Sequence, residues 1–174
     1  MKELEQELQD ISIRGKMAFM VKCFENYASS KYPELDWGQL FQFMRKVTSV
    51  EWIDDDWWYP LGEFLPEFIL ETTGYDKDQY ESLSEKDYIY YKNLFSGVKR
   101  DIVKILSNIH DLLSIYLYGD IDDHGKEMNV AMCKIIKDMT KSKAFVLPDI
   151  NKYKFSKWEE RDGWGNRFDF DFDI

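Results

Sequence analysis

Between residues 84 and 118 the apolar side chains recur at alternating steps of three and four. Tyr88, Tyr91, Phe95, Val98, Ile102, Ile105, Ile109, Leu112 and Tyr116 set a stripe that Leu94, Leu106, Leu113 and Leu117 widen. An α-helix brings such spacing to one face. The stripe is broader than a coiled-coil seam, so it needs neighbours on several sides. It reads as the central and most buried helix of a bundle, bent near Gly97. Ser84 suits its N-cap, and Gly119 lies where a C-capping glycine belongs.

Other segments can supply the neighbours. Met17, Met20, Val21, Phe24, Tyr27 and Ala28 share one helical face, and Pro33 ends that helix. Asp36, with Gln39 three residues on, can cap a helix whose stripe is Trp37, Leu40, Phe41, Met44 and Val47. Leu61, Phe64, Leu65, Phe68 and Ile69 repeat the pattern; Pro60 suits a first turn, and Pro66 breaks or restarts the helix. Asp122 or Asp123 can cap a last helix carrying Met128, Met132, Ile135, Ile136 and Met139. The expectation is a mainly α single domain over residues 1–174, a bundle around one long central helix. Its helices span roughly residues 16–30, 36–48, 54–71, 84–118 and 123–141. Residues 144–174 are extended and turn-rich, with a small or irregular β element. There, residues 144–147 read as a short strand, and Phe168, Phe170 and Phe172 alternate with aspartates.

A chain of 174 residues with 44% hydrophobic and 17% aromatic residues can bury a real core. No apolar run approaches the ~18 residues of a membrane span. The first seven residues are acidic and lack the apolar stretch of a secretory signal. Cys23 and Cys133 sit far apart among apolar neighbours and read as reduced core thiols. The expected compartment is the cytoplasm, and no membrane partner is expected.

Charge is unevenly placed. Residues 51–87 hold twelve acids against Lys77 and Lys86, a local net of −10 that equals the net of the whole chain. Such a field steers a basic partner and argues against direct binding to nucleic acid, which needs a basic footprint. Within it, residues 51–62 hold Trp52, Trp57, Trp58, Tyr59 and four carboxylates. Tryptophan and tyrosine are frequent interface anchors, and carboxylates among them favour a cationic visitor. The candidate partner-binding residues are Asp54, Asp55, Asp56, Trp57, Trp58 and Tyr59, with Glu63, Glu67 and Glu71 as flanking charges. At least one tryptophan should be core, and at least one aromatic of 57–59 partly exposed.

Reaction chemistry finds less support. The stretch from Asp120 to Gly125 starts like a calcium loop, but its twelfth position is Ala131, where a bidentate Glu is needed. The alternation with phenylalanine accounts for Asp169, Asp171 and Asp173. No Cys or His pair has zinc spacing. His110 reads as a helix-surface or satisfied core residue. There is no nucleophile elbow, phosphate loop or dinucleotide fingerprint. The expectation is a protein that is no enzyme, with no catalytic residues, metal or cofactor.

Together the Asp54-Asp55-Asp56-Trp57-Trp58 run, the Pro66-Glu67-Phe68-Ile69 segment and the Gly163-Trp164-Gly165-Asn166 tail give a profile that resembles immunity proteins of bacterial polymorphic-toxin and contact-dependent growth inhibition systems. The resemblance implies a cognate toxin domain with a basic surface, neutralised by tight binding. Two rivals stay open. One is an acidic decoy that imitates nucleic acid. The other is a small-molecule sensing domain, which a closed cavity bearing both Trp57 and Trp58 would favour.

Overall fold

A computed structural model describes residues 1–119, 121 and 123–172, the side chain of Asp123 apart. The chain is mainly α. Its helices are α1 (Lys2–Leu8), α2 (Ile13–Lys31), α3 (Gly38–Arg45), α4 (Tyr59–Glu63), α5 (Pro66–Glu71), α6 (Glu85–Ser96), α7 (Arg100–Leu117) and α8 (Lys126–Met139). Among the described residues none is long and apolar enough to cross a membrane.

The long helix at the centre is α2. Fourteen of its 19 residues are buried, and it packs against α3, α7, α8 and the short turns Lys46–Thr48 and Ile150–Tyr153. A helix enclosed on all sides shows only a weak stripe, which is why its importance is muted in the sequence. The 84–118 segment, expected to be that centre, is two helices. Gly97 ends α6, and Lys99 is extended (φ −90°, ψ 166°) before α7 begins. The three intervening residues take up nearly one helical turn of sequence, so the apolar spacing runs through the break. Ser84 does cap α6, accepting from the Asp87 N–H. Residues 1–12, for which no helix was expected, include α1, which packs Leu4 and Leu8 toward α8.

The expected 54–71 helix is also interrupted. A π-turn, Asp54–Trp58, leads into α4; the chain kinks at Leu65 (ψ 138°), and Pro66 restarts it at the first position of α5. That restart rotates Phe68 out of its expected stripe, leaving it 55% exposed while Leu61, Phe64, Leu65 and Ile69 are buried. The expected 123–141 helix starts later, because the left-handed Gly125 (φ 62°) precedes α8 and no side chain caps it. The alternative cap, Asp122, lies outside the described residues.

No strand forms among the described residues. Residues 144–147 are turn and irregular, with Val146 70% exposed. The Phe168–Phe170–Phe172 alternation does place aromatics inward and Asp169 and Asp171 outward, but against Tyr153 and Phe155 rather than a partner strand. One isolated bridge, Ile11 to Lys157, ties the C-terminal segment to the residue before the cap of α2. Beside it the Ser12 N–H donates to the Ser156 carbonyl (2.9 Å), Trp158 N–H to Asp10 (3.0 Å) and Arg14 N–H to Trp164 (3.1 Å). Gly165 lies at φ 81° in this clamp, where a Cβ would stand 2.2 Å from Ser12 Oγ. Any side chain there would displace the cap of α2.

Three charged residues lie inside on α2. Lys16 is fully buried, donates to the His124 carbonyl (2.8 Å) and sits 4.5 Å over the Trp158 ring. Glu25, 4% exposed, takes a bidentate pair from Arg45 at 2.6 and 3.1 Å. Arg14, 3% exposed, donates to the carbonyls of Val47 and Val50. Cys23 and Cys133 are buried free thiols, and burial raises the pKa of both.

Candidate functional site

The π-turn orients the aromatic-acidic run. The Tyr59 N–H reaches back to the Asp54 carbonyl, one residue further than in an α-helix. The extra residue re-aims the side chains around it, as π-turns at functional sites often do. Trp57 points inward, is fully buried, and donates its Nε1–H to the Met44 carbonyl at 2.9 Å. It is a core residue and leaves the candidate interface set. Trp58 is half-buried, and Tyr59 is 50% exposed.

Trp58 is held on α7 by His110. The two rings stack at 4.6 Å and 13°, Trp58 Nε1–H donates to the His110 carbonyl (3.0 Å), and His110 Nε2 faces the Trp58 carbonyl at 3.1 Å. A carbonyl only accepts, so Nε2 carries the proton. Gly62 makes this approach possible, since a Cβ there would stand 3.3 Å from His110 Nε2. Burial lowers the His110 pKa, against the Trp58 carbonyl and Asp111, which raise it. The histidine is a wall residue whose Nε2 is taken up by the Trp58 carbonyl.

This wall borders a groove of about 600 Å³ between α4, α5, α7 and the loop before α6, with Tyr59, Phe68 and Tyr80 on its sides and Glu71 at its rim. Tyr59 and Tyr118 share a hydroxyl hydrogen bond at one end. At the other, Thr72 meets the hydroxyl of Tyr88 (2.9 Å). The groove is therefore aromatic, with a few fixed polar groups, as binding clefts tend to be.

The carboxylates divide. Asp55 is exposed and Asp54 partly so. Asp56 is exposed but closes its own turn, accepting from the Trp52 N–H at 3.1 Å. Glu63 was expected as a flanking charge. It instead accepts from the Glu81 and Ser82 N–H groups at 2.7 and 2.8 Å and so anchors the loop that carries Tyr80. Glu67 accepts from Ser107 Oγ. Glu71 is exposed and lines the groove. The structure thus gathers Trp58, Tyr59, Glu63 and Glu71 on one groove. Phe68, Tyr80 and His110 join them unforeseen; Pro66 was the available signal for Phe68, and nothing local marked the other two. Asp120 and Asp122 of the calcium-like loop, and Asp173 of the C-terminal comb, lie outside the described residues. Among those described, no group of three metal-ligating side chains converges.

Comparison with known proteins finds no matching family profile, no similar curated protein and no similar solved structure.

Proposed function

We propose that the protein is a non-catalytic binding domain that holds a basic protein partner against the groove between Trp58 and Tyr80. The partner class is the cognate toxin domain implied by the resemblance to immunity proteins. The observation behind this reading is the groove itself, lined by exposed aromatics inside the part of the chain that carries twelve acids and two bases. Trp58 is fixed before any partner arrives, so little side-chain entropy is lost when it is covered. Asp54, Asp55 and Glu71 supply the steering field, and Tyr59 and Phe68 the removable apolar surface. The small-molecule reading asked for Trp57 and Trp58 in one cavity, and Trp57 is in the core.

The test looks first for a gene beside this one that encodes a large secreted protein, and is then kinetic, against the C-terminal domain of that protein. Asp54→Asn with Asp55→Asn should lower the association rate and flatten its salt dependence. Trp58→Ala or Phe68→Ala should raise the dissociation rate about tenfold or more, the change expected of an anchor worth ~1.4 kcal/mol. Wild-type rates in folded variants would remove the groove as the interface. Failure of that domain to bind at all would remove the toxin reading.

A further inference from the structure

A second cleft, of about 640 Å³, opens on the other side of the 51–59 segment, between Trp52 and the Trp164 turn, with Arg14 and Arg161 in its lining. Its chemistry differs from that of the aromatic groove. Arg14 is 3% exposed, and its Nη1 donates to the carbonyls of Val47 (2.6 Å) and Val50 (3.1 Å). Its Nε is buried and has no hydrogen-bond partner. Native proteins rarely leave a buried donor unmatched without a ligand or other reason. Two further guanidiniums, of Arg161 and Arg167, stand near enough to act on it. Burial first, then the charges of Arg161 and Arg167, pull the Arg14 pKa down to about 10. Arg167 pairs with Glu51 at 3.4 Å, while Arg161 stands exposed on the rim.

We propose that this cleft binds a monocarboxylate carried on an apolar or aromatic body, with Arg14 and Arg161 as its counter-charges. The exposed Arg161 offers the guanidinium fork that matches a planar carboxylate, and the buried Arg14 adds its charge from behind. Trp52, 63% exposed, and Trp164 supply flat apolar walls for the body. Glu51, Asp54 and Asp162 line the same cleft, which disfavours a dianion such as phosphate. The carboxylate would sit against the two guanidiniums, away from the acidic rim. The site is separate from the aromatic groove and does not depend on the protein-partner reading.

The experiment titrates the full chain with 3-phenylpropionate and follows the six tryptophan indole N–H signals by nitrogen-15 NMR. Saturable shifts should appear at Trp52 and Trp164, while Trp58 stays still. Arg161→Ala removes an exposed side chain, so the fold should persist and binding should weaken about tenfold or more. 3-Phenylpropylamine and inorganic phosphate should leave both signals in place. The proposal is overturned if no saturation is reached by about 10 mM, a range in which binding carries little free energy. It is also overturned if Arg161→Ala binds as tightly, if phosphate competes, or if only Trp58 moves.

Discussion

Helix α2 buries Arg14, Lys16 and Glu25 among apolar neighbours, whereas the 51–71 segment leaves Trp52, Tyr59 and Phe68 in solvent. Polarity alone would have put each group in the other place. In α2 the buried charges lean on fixed counterparts, backbone carbonyls for Lys16 and for Nη1 of Arg14 and a bidentate arginine for Glu25, with only the Arg14 Nε left unmatched. In the 51–71 segment the backbone changes its winding twice, at the π-turn and at Leu65, and Tyr59 and Phe68 are left facing outward. Charge is tolerated inside where its partner is built in. Apolar surface stays outside where the backbone is shaped to present it.

The sharpest way to break this contrast is a pair of phenylalanines. Phe24→Ala on α2 should cost about 3–5 kcal/mol in urea unfolding, and Phe68→Ala on α5 less than about 1 kcal/mol. Equal losses would place Phe68 in the core. Next is Glu25→Ala, which removes the buried carboxylate that Arg45 grips and should cost about 2–3 kcal/mol, with Glu25→Gln intermediate. Cheap loss of Glu25 would mean that α2 carries its charges without needing partners. Trp58→Phe keeps the ring stack but removes the bond to the His110 carbonyl, so about 1 kcal/mol should be lost.

Acidification probes the same wall. Because the His110 pKa is lowered in the fold, above pH ~6.5 the imidazole is neutral in both folded and unfolded chains and has no effect. Below it the unfolded chain takes up the proton first, so stability falls as pH drops, then levels off once the folded imidazole also protonates. Comparing thermal midpoints from pH 7 to 5, His110→Gln should remove this component of the slope. The smallest effect is Asp55→Asn, which should change stability by less than about 0.5 kcal/mol and act only on association.

The helical class and most of the core were legible because i, i+3, i+4 spacing survives whatever the helices pack against. Met17, Phe24, Leu40, Met44, Ile105, Leu106, Met132 and Ile136 are buried as their stripes require. Gly97 was read as a bend, and that it is a full break at 97–99 was masked by phase, since the insertion nearly matches one turn. At the candidate site, the spacing of the aromatic-acidic run could indicate that Trp57, Trp58 and Tyr59 would divide between core and surface. It could not indicate which faced inward, because a π-turn has no composition of its own. His110 and Tyr80 reach the groove through tertiary packing over 52 and 22 residues of chain from Trp58, respectively, beyond any local pattern. Arg14 carries no sequence signal, because the carbonyls that hold it, of Val47 and Val50, lie 33 and 36 residues away.

That closure has a consequence for synthesis. The hydroxyl that caps α2 belongs to residue 12, and its hydrogen-bond partner, Ser156, lies 144 positions later. At about 5–20 residues per second, the most enclosed helix of the molecule waits some seven to thirty seconds for the loop that covers its start. Until then its buried cations face water or whatever else is nearby in the cell. A nascent chain stalled short of residue 156 would hold the sequence of every long helix yet lack the lid on its own centre, which makes the arrival of residues 156–165 the step that commits the fold.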